Sequence, residues 1–207
     1  MSFELWIAFT LASTALLAVP GPTVMLVVSY ALGHGRSSGW ATVPGVTLGD
    51  FTAMTISLLG AGAIIAASAT LFTILKLIGA CYLIWLGIQL WKANPTLEDA
   101  DRSNGTSNRR MFWNAYIVTA LNPKSIAFFI AFVPQFLDPA APVFAQFAIM
   151  EATFLALAAA NVAVWAVLAG QMRAQFKKPS VLRLTNRIGA GFLIGAGLLT
   201  AAMRRQG

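Results

Sequence analysis

The sequence predicts an all-α polytopic membrane protein, six transmembrane helices built as two inverted three-helix repeats. Three observations carry this reading. The chain is 58% hydrophobic with a mean hydropathy of +0.74 and only 10% charged residues, where a soluble domain carries roughly 25%. Apolar runs long enough to cross a hydrocarbon core of about 30 Å recur along it. The chain also repeats itself: Ile78–Gly87 and Ile188–Gly197 share six of ten residues.

The runs fall at roughly 4–31, 40–67, 70–91, 111–134, 143–170 and 186–203. The first resembles a signal peptide only in its apolar character. Glu4 is the sole charge before it, and Pro20-Gly21-Pro22 stands where small residues would mark a cleavage site, so it reads as a retained span. The turn from Gly33 through His34 to Gly39 separates it from the second run. Residues 92–110 form a polar linker, Asp138-Pro139 a short turn, and Arg173–Arg187 a basic loop. This divides the chain into a first repeat (1–91), a cytoplasmic linker (92–110) and a second repeat (111–207). Proline and glycine inside the runs do not demote them, since membrane helices tolerate both.

Charge sets the orientation. Ten Lys and Arg residues fall in the first, third and fifth loops, against Lys76, Arg204 and Arg205 on the other side. The positive-inside rule places the odd loops in the cytoplasm and both termini outside. Trp40, Trp91, Trp113 and Trp165 fall near that same boundary, as an aromatic belt would. The net charge of +7 therefore belongs to short loops and not to a nucleic-acid surface. One cysteine and one histidine leave no basis for a disulfide, a metal cluster or a haem, and no cofactor is expected. Each repeat holds an odd number of spans, so the second copy enters the membrane from the opposite side.

The candidate site residues lie at membrane depth. Pro20-Gly21-Pro22 removes two backbone donors inside the first span and should break it, leaving free carbonyls on one side and a helix N-terminus near Thr23 on the other. Such an N-terminus favours an anion such as a carboxylate. Asn122-Pro123-Lys124 is the counterpart in the fourth span, with Pro123 about 18 Å from Met111 along the helix. Asn122 can cap the following half-helix, and Lys124 is a cation too deep to reach the interface comfortably. Asp50, about 15 Å past Trp40, follows the close-packing face Gly45-x-x-x-Gly49. It is free to pair with Lys124, bind an ammonium or carry a proton. Glu151 holds the matching place in the fifth span and is a weaker candidate for the same work. Asn161 is expected to form an interhelical hydrogen bond. His34 is expected in a solvated loop, and the glycines of the third and sixth spans are expected to be packing surfaces. A duplicated unit with a broken first helix and a buried acid in the second is the pattern of a secondary transporter. A passive channel and an integral membrane enzyme are the alternatives; no Ser/His/Asp set supports the enzyme.

Pro20-Gly21-Pro22, Gly45-x-x-x-Gly49-Asp50, Asn122-Pro123-Lys124, Phe132-x-Pro134-Gln135-Phe136 and Asn186-Arg187-x-Gly189 together resemble the LysE/RhtB amino-acid exporter family, in order and spacing over nearly the whole chain. The overall pattern is closer to the homoserine/threonine branch than to the lysine branch. The resemblance implies a multi-pass protein of the bacterial inner membrane. It would export amino acids or their derivatives by proton antiport, with amino acid, protons and lipid as partners and a homodimer as one allowed assembly. Glu151 belongs to no motif of that family.

Overall fold

The computed structural model describes residues 1–93, 106–138, 141–171 and 179–202. Among them every regular element is helical. Ser2 caps α1 (Phe3–Ala18) by accepting a hydrogen bond from Leu5 N at 3.3 Å. Two prolines two positions apart, Pro20 and Pro22, then end that helix, and α2 (Pro22–His34) restarts with Pro22 in its first turn, where a missing N–H costs nothing. The two axes differ by 53°. Gly35, at φ +74, ends α2 in a conformation that suits glycine, and a 3-10 turn over Arg36–Ser38 leads into α3 (Gly39–Ala67). Ser68 is the whole connection to α4 (Ala69–Lys92): its N–H closes α3 on Ile64 O at 2.9 Å, and its hydroxyl accepts from Leu71 N at 3.2 Å.

α5 (Asn108–Ala120) stops at the second break. The chain resumes as α6 (Pro123–Ala127), runs through a π-helical stretch at Phe128–Phe132 and ends in a 3-10 turn at Val133–Phe136. α7 (Val143–Gln171) and α8 (Pro179–Ala202) complete the chain. Among the described residues four helical stretches are long and apolar enough to cross a membrane: Arg36–Ile64, Thr70–Lys92, Asn108–Phe136 and Val143–Gln171. The bent α1/α2 pair makes a fifth if read as one span. α8 begins well before the predicted sixth span, so Arg183 and Arg187 are helical and not part of a loop. They and Asn186 lower the apolar character of its first half. Arg187 lies 5.8 Å from the centre of the Trp91 ring, a cation–π contact that a loop residue would not need.

Glycine sets the closest helix contacts. A Cβ at Gly45 would stand 2.5 Å from Phe112 O, and one at Gly49 would stand 2.8 Å from Tyr116 O, so α3 and α5 touch backbone to backbone as the Gly-x-x-x-Gly spacing predicts. The repeated motif forms the α4/α8 contact. A Cβ at Gly87 would meet Ile194 Cγ1 at 2.7 Å and Ala190 O at 2.9 Å. One at Gly197 would meet Ile84 Cγ1 at 2.6 Å and Ala80 O at 2.7 Å. In the motif alignment Gly87, Ile84 and Ala80 match Gly197, Ile194 and Ala190, so each copy presses its glycine on the same pair of residues in the other. The pairing runs antiparallel, with position 84 against 197 and 87 against 194. Gly191 and Gly195 have nothing within 4 Å of a built Cβ. The expectation that all the α8 glycines pack therefore holds only for Gly189 and Gly197. The reason is periodicity: only positions on the α4-facing and α1-facing sides of a 3.6-residue helix meet a neighbour.

The interior divides into two kinds of apolar packing. Around α1, the Phe128–Phe136 stretch and the first half of α7 the core is aromatic: Phe9, Phe128, Phe129, Phe132, Phe136 and Phe154 are all buried. Around α2, the start of α3, α5 and the end of α7 it is small and aliphatic, with Val24, Val27, Val28, Val46, Val162, Ala166 and Ala169. His34 is the last residue of α2, both ring nitrogens are buried without a hydrogen-bond partner, and the ring stands edge-on to Tyr30. The sequence reading placed it in a solvated loop; helix α2 runs further than the Gly33 signal indicated and carries it inward.

Candidate functional site

Both breaks meet at one place, between the aromatic and the aliphatic core. Pro20 and Pro22 lack the N–H groups that would continue α1, so the carbonyls of its last turn need other donors. Three come from side chains of distant segments. Lys124 Nζ donates to Val19 O at 2.8 Å and Leu16 O at 3.2 Å, and Asn161 Nδ2 donates to Leu17 O at 3.0 Å. Gly21 leaves room for this: a Cβ there would lie 3.3 Å from both Cε and Nζ of Lys124. Gly189 does the same on the other side, where a Cβ would meet Val19 Cγ1 at 2.5 Å.

The second break closes itself. Asn122 Oδ1 accepts from Lys124 N at 3.1 Å, the N-cap expected of an Asn before Pro. The same amide donates through Nδ2 to Thr23 Oγ1 at 3.2 Å, and Thr23 Oγ1 stands 3.2 Å from Thr119 Oγ1. Thr23 and Lys124 each follow the proline that restarts a helix, and each reaches back to the helix end of the opposite break.

Asp50, 3% exposed, faces this junction from α3. It lines a cavity of about 20 Å³ with Thr23, Asn122, Lys124, Ser125 and Asn161; Leu16, Val24, Val46 and Val162 supply apolar wall. That volume holds about one water, so the chamber is collapsed around its polar groups. Lys124, 9% exposed, is too deeply held to reach an interface. It shares the cavity with Asp50, while its hydrogen bonds go to the α1 carbonyls. A carboxylate, an ammonium, four hydroxyl or amide side chains and two helix starts thus converge on one small volume. Their charges match the two ends of a zwitterion, the cationic end at Asp50 and the anionic end at Lys124, although in this conformation the volume admits only about one water.

A family model described as LysE type translocator matches residues 14–204. The chain belongs to that family. Its relatives include the homoserine/homoserine lactone efflux protein of Salmonella typhimurium, 34% identical over 203 residues covering 98% of each chain. An uncharacterized membrane protein of Vibrio cholerae is 29% identical over 204 residues, 99% of this chain and 100% of that one. A leucine efflux protein of Enterobacter is 32% identical over 124 residues, 59% of each. No solved structure matches. As a LysE type translocator this chain is a membrane transporter of an amino-acid efflux family and not an enzyme.

Of the residues singled out in this translocator from sequence, Gly21, Thr23, Asp50, Asn122 and Lys124 line the cavity, and Pro20, Pro22 and Pro123 make the breaks that open onto it. Glu151 does not line it. Its carboxylate accepts a 2.5 Å hydrogen bond from Thr55 Oγ1, tying α7 to α3 away from the junction. Asn161 forms an interhelical bond as expected, but to a carbonyl of the break, which makes it part of the site. Ser125, expected beside Lys124 in a water-reachable cavity, lines it. Thr119, Val46 and Val162 carry no such expectation. A polar residue in an apolar run was a usable signal for Thr119. The two valines carry none, because an apolar residue in a membrane helix reads the same whether it faces lipid or a cavity.

Proposed function

We propose that this translocator exports amino acids or close derivatives from the bacterial cytoplasm across the inner membrane, in exchange for protons. The observation that carries the reading is the convergence of Asp50, Lys124 and both helix breaks on a single cavity at membrane depth. An isolated charge there costs at least about 2.5 kcal/mol, so two retained charges facing one cavity favour a ligand that meets both. A free α-amino acid presents an ammonium and a carboxylate on adjacent carbons. Asp50 is the ammonium anchor and the proton-exchanging group. Lys124, with the N-termini of α2 and α6, is the carboxylate anchor. The names of the homoserine/homoserine lactone and leucine efflux relatives support a small neutral side chain, and the valine and leucine wall suits one.

We further read the chain as six spans in two inverted repeats, 1–91 and 111–207, joined by residues 92–110 on the cytoplasmic side. The reciprocal, antiparallel glycine contacts of α4 and α8 support a two-fold axis in the membrane plane. The test is uptake of labelled L-homoserine and L-leucine into everted vesicles with an acidic lumen. Saturable uphill accumulation that collapses with the pH gradient is expected. Flux that only equilibrates, whether or not a gradient is present, would make the protein a channel.

A further inference from the structure

We propose that Lys124 is a substrate-operated latch on helix α1. The substrate carboxylate and the free carbonyls of α1 compete for the same ammonium, and its transfer to the carboxylate releases the helix. This inference rests on the reading of the cavity as the transport site.

Leu16 O and Val19 O belong to the end of α1, where the prolines remove the N–H groups that would continue the helix and the helix carries partial negative charge. Leu16 O keeps one backbone bond, from Val19 N at 3.2 Å, so Val19 O is the carbonyl that depends most on an outside donor. Lys124 Nζ supplies the side-chain hydrogen bonds to both, at 3.2 and 2.8 Å, from a segment more than a hundred residues away. A lysine so placed is the C-terminal cap of a helix to which it does not belong. The cap is also one wall of the cavity. A carboxylate carries a full negative charge where the end of α1 carries only a partial one, so a carboxylate entering beside Lys124 draws the ammonium away from α1. The chain is formed to allow that movement. Gly21 leaves the space in which the lysine stem lies, and α1 is already set at 53° to α2 by the break.

Release has a direction. Beyond the break α1 carries Leu16 and Phe9 into the aromatic core, where Phe9 stands edge-on to Phe136 with ring centres 5.7 Å apart. Freeing the end of α1 therefore loosens the seal on that side of the cavity, and only when a carboxylate is bound. An amine of the same shape without the carboxylate binds at Asp50 and leaves the latch closed.

Hydrogen exchange of the full-length protein in lipid nanodiscs tests this, read over the α1 amides of residues 14–19. L-homoserine and L-leucine are compared with their decarboxylated forms, 3-aminopropan-1-ol and 3-methylbutylamine. The amino acids should accelerate exchange about tenfold, the change expected when one charge-assisted hydrogen bond is lost, and the amines should not. Lys124→Met without any amino acid should already show the fast exchange and respond to none of the four compounds, while Lys124→Arg should restore protection. If Lys124→Met does not fold, Gly21→Ala, which crowds the ammonium, should give the same raised exchange. Slow exchange in Lys124→Met, or equal acceleration by amine and amino acid, overturns the latch. Counterflow measured on the same preparations separates the two failures. Counterflow with unchanged exchange overturns the latch alone; no counterflow of either amino acid overturns the transport reading and the latch's trigger with it.

Discussion

The two helix breaks occupy matching places in the two halves of the chain and are completed by different chemistry. At the second break a neutral side chain adjacent in sequence does the work: Asn122 caps α6 and bonds Thr23 across the junction. At the first break no side chain caps α2, because the N-cap is Gly21. The carbonyls of α1 are met from outside, by Lys124 and Asn161. A self-capped break holds its shape whatever occupies the cavity. A break completed by a cation from another segment changes when that cation is claimed by something else. On the latch proposal, the α5/α6 side is the fixed frame and α1 the moving part.

Asp50 lies between the breaks and hydrogen-bonds neither, so its loss should be the largest functional effect and the least structural one. Asp50→Asn should abolish proton-coupled export in everted vesicles while membrane insertion and detergent extraction stay normal; export at the ordinary rate would make Asp50 structural. Lys124→Met should come next, lowering export about a hundredfold and expression with it, since it leaves Val19 O without its donor, removes one of the two donors to Leu16 O, and leaves Asp50 without its opposing charge. The double change Lys124→Met, Asp50→Asn should recover expression but not export. Recovery of neither would mean that the two charges answer to different partners.

Smaller changes sharpen the contrast. Asn122→Ala removes the cap of the fixed frame and should cost about 1 kcal/mol, the usual worth of an N-cap, read as a lower thermal midpoint with export reduced in proportion. Thr23→Val loses only neutral interhelical bonds, worth about 0.6 kcal/mol each in membranes, and should leave export within about twofold. Glu151→Gln, outside the cavity, should fall in the same range. Cysteines at Thr23 and Ser125 in a Cys81→Ala background should react with water-soluble thiol reagents during transport faster than one at exposed Leu198. Protection of both by substrate is expected; labelling no faster than at Leu198 would argue against a shared polar chamber.

Sequence alone determined the helical membrane class, the positions of both breaks, the cap at Asn122 and the close approach at Gly45 and Gly49. Each follows from local chemistry: hydropathy over a span, a missing N–H at proline, a side chain two residues from the amide it accepts, an absent Cβ. Only the tertiary structure decided where the long-range polar groups point. Lys124 was legible as a deep cation in search of a partner, and Asp50 was the natural candidate. The hydrogen bonds went instead to backbone carbonyls, which look alike in every residue of a sequence and become acceptors only where a helix stops. Glu151 shows the same limit from the other side. The repeat placed it opposite Asp50, but a few residues' difference in where α7 begins turns a side chain on a 3.6-residue helix to another face, where it meets Thr55 and not the cavity.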